Sequence, residues 1–101
     1  MTRKPIGAGS FYPSDRQELS SMLEGFFSNT QLKLEDRKIN ALIVPHAGYV
    51  YSGGVAAHAY KLLTPQSFTQ VVIIAPSHRY PFRGASIDRQ DCRLQVPNNH
   101  I

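Results

Sequence analysis

The chain has 101 residues, of which 42% are hydrophobic and 18% charged, and a formal net charge of +4. That balance suits one small globular domain or part of a larger one and excludes the polar, highly charged signature of a disordered chain. Its basic residues are scattered and its apolar runs short, and it has a single cysteine, so a nucleic-acid-binding tail, a membrane span and an internal disulfide framework are all excluded.

In chain order, residues 1–13 are irregular, punctuated by Pro5, Gly7, Gly9 and Pro13. Basic residues open the chain, but no apolar core follows them as in a secretory signal. With the lone cysteine, this points to a protein of a reducing, cytoplasmic compartment.

The stretch SDRQELSSMLEGFF then predicts a helix, because Leu19, Met22, Leu23, Phe26 and Phe27 recur on one face at helical period. Ser14 with Gln17, or Asp15 with Glu18, offers the capping start, and Ser28-Asn29 the stop. Residues 30–38 are polar and read as an exposed connection.

Ala41 to Val44 form a continuous apolar run without alternation, the pattern of a strand covered on both faces. Pro45 should end it. After a loop rich in Gly and Tyr, SGGVAAHAYKLL predicts a second helix, with Val55, Ala59, Leu62 and Leu63 on its apolar face, Ser52 as cap and Pro65 beyond its end. VVIIA, residues 71–75, predicts a second buried strand closed by Pro76. Strand, helix, strand at this spacing is a partial βαβ unit with parallel strands, hence an α/β fold. ASID, from Ala85, can begin a further strand. The tail QDCRLQVPNNHI has little period, and two strands with two helices fall short of a full sheet.

Two parallel strands end on one edge of their sheet, where ligands of open α/β folds bind. His46 follows the first strand end and His78 the second, so both are expected in one crevice. Converging imidazoles can hold a metal, act as general acid and base, or cap the strand edge with hydrogen bonds. Two ligands alone do not complete a metal site. His58 reads as a structural helix residue, His100 carries no signal, and Cys92 reads as an incidental thiol. The loop GYVYSGG opens a helix, so Gly53 and Gly54 can contact an anion through backbone N–H groups. The simpler reading is that they permit a tight turn, because no phosphate-binding motif is present. Tyr49 and Tyr51 flank the first His, and Phe11-Tyr12 can fold over the same crevice. A histidine-based hydrolase is disfavoured, since Ser77 beside His78 is not a nucleophile elbow.

Three stretches, AGSFYPSDRQELSSMLEGFF, ALIVPHAGYVYSGGVAAHAYKLL and VVIIAPSHRYPFRGASID, together resemble the N-terminal part of the MEMO family, also called the AmmeMemoRadiSam system protein B family. The resemblance runs from about Pro5 to Asp88, and the chain reads as a single incomplete MEMO-like domain over residues 5–101. It implies a fold similar to the class III, LigB-type extradiol dioxygenases. It further implies a non-haem metal, iron or copper, held by His46, His78 and a Cys from later in the family sequence, in an oxidoreductase-like pocket lined by Phe11 and Tyr51. In animals, members are linked to recognition of phosphotyrosine peptides in cell-motility signalling.

Family members are roughly two and a half times as long, as α/β domains need more strands to bury a sheet. Their later Asp/His motif and ligand Cys have no match here, and Cys92 does not take the place of that Cys. The chain thus reads as a fragment or short form, with weak metal binding, little turnover, and self-association through an incomplete sheet. The alternative is a non-catalytic module whose vestigial pocket takes a small aromatic or phosphopeptide ligand through Tyr51, Gly53, Gly54 and Arg79 or Arg83.

Overall fold

A computed structural model describes residues 2–33, 38–64, 66–87, 93–96 and 99–100. The elements, in order, are β1 (Thr2–Arg3), α1 (Arg16–Ser28), α2 (Tyr49–Lys61), β2 (Arg93–Val96) and β3 (Asn99–His100). β1 runs parallel to β2, pairing Thr2 with Arg93, and β2 runs antiparallel to β3. Cys92, Pro65 beyond the expected end of the second helix, and Asp88, where the resemblance ends, lie outside the described residues.

α1 forms where its apolar stripe predicts. Asp15 is the N-cap, its carboxylate accepting the Glu18 N–H at 2.9 Å, and Asn29 closes the helix by donating its N–H to the Gly25 carbonyl. Leu19, Met22, Leu23 and Phe26 are half-buried against the rest of the chain, and Phe27 stays exposed at 37%.

α2 begins earlier than its sequence predicts. Gly48, not Ser52, is its N-cap. Ser52 sits inside the helix, and its buried hydroxyl donates back to the carbonyls of Ala47 at 3.0 Å and Gly48 at 3.4 Å. The expected apolar face holds at Ala59, Leu62 and Leu63, which are half-buried, but not at Val55. Val55 is 67% exposed, whereas Ser52 and Ala57 are the buried residues of the helix. The reason is the neighbour: small residues on α2 admit the Phe26 ring of α1. A Cβ built on Gly53 would lie 2.5 Å from Phe26 Cε2 and 2.9 Å from Cζ. Glycine is therefore what allows the two helices to approach here.

Residues 30–38 are not wholly an exposed connection. Thr30 is 2% exposed, and its hydroxyl donates to the Phe26 carbonyl at 2.8 Å. Lys61, from the last turn of α2, reaches across to donate to the carbonyls of Phe27 at 2.9 Å and Thr30 at 2.6 Å. One ammonium thus adds a donor to the Phe27 carbonyl, which also accepts the Thr30 N–H, and to the Thr30 carbonyl just beyond α1, where a cation also suits the helix dipole.

The runs 41–44 and 71–75 belong to none of the three strands. Among the described residues no backbone hydrogen bond joins one run to the other. Residues of both runs do line one groove of about 310 Å³, together with Tyr60 of α2 and Leu63 beyond its end. Leu42 and Val44 are half-buried, while Ile43 between them is 100% exposed. Among the described residues Ala57, at 3%, is the only buried apolar residue, so the core is confined to the helix pair.

Candidate functional site

Both histidines follow a proline that ends an apolar run, and the fold brings them together. The His46 and His78 ring centres are 5.2 Å apart with 29° between the ring planes. Both side chains are exposed. Each is mounted by hydrogen bonds from its own loop. On the first side, Ser52 ties α2 to Ala47, the residue after His46. On the second, the Ser77 hydroxyl donates to the Tyr80 carbonyl at 2.8 Å and accepts the Tyr80 N–H at 3.3 Å. That turn brackets His78 between its two ends, a serine-closed turn of a familiar kind.

The Phe11 backbone and the Tyr51 ring both lie near Gly48, at the other end of the first loop. The turn that presents Phe11 is closed by the N–H groups of Ser10 and Phe11 on the Gly7 carbonyl, at 3.2 and 2.8 Å. Gly9 takes φ +84° within it, a conformation that favours glycine. The Phe11 carbonyl then accepts the Tyr49 N–H at 2.8 Å, docking the N-terminal segment on the start of α2. At Gly48 a Cβ would sit 3.5 Å from the Phe11 oxygen and 3.6 Å from Tyr51 Cδ2. Phe11 and Tyr51 are 56% and 87% exposed, so both aromatic faces remain open to solvent.

Tyr49 has a different task from the one its place beside His46 implies. Its ring packs on Tyr12 at 5.3 Å, tilted by 39°. Burial, and then the neighbouring phenols of Tyr12 and Tyr60, raise the Tyr49 pKa above 10.0. The phenol serves as part of the joint between the N-terminal segment and α2.

Gly53 and Gly54 lie within α2, and Gly53 meets Phe26 rather than an open helix start. The helix start itself is already engaged: Tyr49 donates to Phe11, and Tyr51 and Ser52 donate to Gly48. His58 is exposed, with Nδ1 2.8 Å from the Gly54 carbonyl, as a structural helix residue would be. Arg79 and Arg83 are exposed. Among the described residues, no group of three or more His, Cys, Asp or Glu side chains is gathered as a metal cluster would be. None of the helices described is long and apolar enough to cross a membrane.

Human Protein MEMO1 is 38% identical over 89 residues, which are 88% of this chain and 29% of the human protein. A MEMO1 family protein of Thermococcus kodakarensis is 46% identical over 82 residues, 77% of this chain and 27% of its own length. One from Thermoplasma volcanium is 44% identical over 79 residues, covering 78% of this chain and 29% of the relative. The chain therefore spans under a third of these relatives, a smaller share than the sequence reading expects. No solved structure matches it. The family model described as Memo-like protein matches residues 3–97, a span that takes in the Phe11 turn, both helices and both histidine loops, and the chain belongs to that family.

Proposed function

We propose that this chain contributes two imidazole ligands, His46 and His78, to a non-haem metal pocket, with iron or copper as the metal and a redox, dioxygenase-like role in the full-length family. The observation that supports this reading is the 5.2 Å separation of the two rings. Two imidazoles sharing one tetrahedral ion, with metal–nitrogen bonds of about 2.1 Å, hold their ring centres roughly 5 Å apart. The donor chemistry fits as well, since neutral imidazole nitrogen suits both iron and copper. A metal bound there would supply Lewis-acid or redox chemistry.

The remaining roles belong to the chain's own residues. The Ser77–Tyr80 turn holds the loop of His78, and the Ser52 hydroxyl holds the loop of His46. A pair of ligands whose loops are already closed loses less freedom on binding than a mobile pair. Phe11 and Tyr51 form an exposed aromatic rim beside Gly48. Such a rim suits the flat face of an organic ligand brought near the metal. With two imidazoles, the chain alone is expected to bind metal weakly and to turn over little.

Calorimetric titration of Fe(II) and of copper into the wild-type chain and into a His46→Ala/His78→Ala variant tests the reading. The double variant should lose affinity by about tenfold or more, equivalent to at least 1.4 kcal/mol. Equal affinity in the two proteins would overturn the metal assignment.

A further inference from the structure

α2 starts without a cap of its own. The first amides of a helix have no acceptor within it, and Gly48 at the N-cap has no side chain to provide one. The acceptor comes from a distant part of the chain: the Tyr49 N–H donates to the Phe11 carbonyl at 2.8 Å. The turn that carries that carbonyl is closed on itself. Its Gly7 carbonyl accepts from Ser10 and Phe11, the Gly9 N–H donates to the Tyr12 carbonyl at 2.7 Å, and Ala8 pairs with Tyr12 in an isolated bridge. Tyr12 is half-buried, and its ring lies 5.3 Å from that of Tyr49. A backbone hydrogen bond and a ring contact from the same turn thus meet on one residue.

That residue stands three positions after His46. Between them, the Ala47 and Gly48 carbonyls accept from the Ser52 hydroxyl. Gly48 is the freest joint on this path, and a Cβ there would lie 3.5 Å from the Phe11 oxygen and 3.8 Å from its Cα, so the docked turn closes one side of it. We propose that the turn of residues 7–12 is a positioning clamp for His46. Docked on Tyr49 through Phe11 and Tyr12, it fixes the first turn of α2 and with it the course of the His46 loop toward His78. With the turn undocked, the two rings no longer keep their 5.2 Å approach. The consequence for metal affinity rests on the reading of both histidines as ligands, since a pair already held close loses less freedom on binding. The approach of the rings does not rest on it.

Tyr49→Pro releases the clamp and spares the helix. Proline lacks the N–H, is favoured at the first helical position, and accepts before it the extended conformation that Gly48 already has, φ −54° and ψ 149°. Tyr49→Phe keeps both the N–H and the ring. In the metal-free 101-residue chain, magnetic cross-relaxation between the His46 and His78 ring protons reads their approach directly. The cross-peak is expected in the wild type and in Tyr49→Phe, and its loss in Tyr49→Pro, with α2 retained by circular dichroism. A cross-peak that survives in Tyr49→Pro, or that is missing from the wild type, overturns the proposal. Gly9→Val opens the turn from a site away from α2, because a β-branched residue is strained at φ +84°. It should quicken exchange of the Tyr49 amide by about tenfold or more and remove the cross-peak. Quickened exchange with the cross-peak intact overturns the clamp, and this variant decides alone if Tyr49→Pro loses the helix. In calorimetric titration with Fe(II) and copper, Tyr49→Pro should bind about tenfold more weakly than the wild type, and Tyr49→Phe as tightly as the wild type. Undiminished affinity in Tyr49→Pro also overturns the clamp. Equal affinity of the wild type and the His46→Ala/His78→Ala variant would instead remove the metal reading, and the cross-peak would then decide the clamp by itself.

Discussion

The helix pair, apolar along one stripe of each helix, and the two continuously apolar runs reach different ends. α1, capped by Asp15, and α2 settle against each other with a shared Phe26–Gly53 contact. The runs 41–44 and 71–75 extend past α2 and stay outside any ladder. The difference lies in where each element finds its hydrogen bonds. A helix satisfies its interior N–H and C=O groups within itself and needs a partner for only one stripe. A strand satisfies none alone, and a pair of strands without cover is marginal in water. The same chain can therefore complete its helical part while the strand-forming part waits for a neighbour.

Substitutions at the helix contact and in the bare run should separate the two regions most sharply. Gly53→Val forces carbon into the space held by the Phe26 ring, and is expected to destabilise the fold by about 2–3 kcal/mol. Ile73→Ala, at a side chain in solvent, should change stability by no more than about 0.5 kcal/mol. Chemical denaturation followed by circular dichroism measures both. Comparable losses at the two positions would mean that the run is packed as well as the helices are.

A smaller effect is expected at the join between the helices. Lys61→Met keeps the aliphatic stem but leaves the Phe27 and Thr30 carbonyls without the ammonium, at a cost of about 1–2 kcal/mol. Because Thr30 is buried, water replaces that donor poorly at its carbonyl. Amide exchange at the end of α1 should quicken in this variant, and unchanged exchange there would remove Lys61 from the account of the helix pair.

The smallest effect is a pH dependence at the docked N-terminal segment. Folding raises the Tyr49 pKa above its ordinary value of 10.0, chiefly through burial. The folded state therefore keeps the proton longer than the unfolded state does. The contribution is fully present below about pH 10 and is lost as pH rises through the folded pKa. Tyr49→Phe should flatten that alkaline loss in a stability-against-pH series. A wild-type curve that gains stability above pH 10 would contradict the sign.

Local features were legible in the sequence for local reasons. Asp15, the α1 stripe and the Asn29 stop could all be placed, because caps and helical period act within a few residues. Pro45 and Pro76 marked where the apolar runs end, because proline restricts the residue before it. The resemblance carried by the PHAGYVYSG and PSHR stretches led to the right family. The start of α2 was missed because Gly48 carries no side-chain cap to announce it, and Val55 was assigned inward because period alone cannot say which face meets Phe26. Of the candidate site, the approach of His46 to His78 followed from the sequence as an expectation about a shared crevice, and Phe11 and Tyr51 entered only through the family resemblance. The Ser77–Tyr80 turn and the engaged amides at the start of α2 were not foreseen.

By itself, then, the sequence determined the two helices, the proline-ended apolar runs and the family to which the chain belongs, since each depends on residues close together or on a linear motif. The tertiary structure decided that Gly53 serves Phe26 rather than an open helix start, that Lys61 closes the end of α1, and that two histidines 32 positions apart stand 5.2 Å from each other. Those outcomes depend on which surfaces meet, and a contact between distant parts of a chain is settled by packing and burial rather than by the propensity of either part alone.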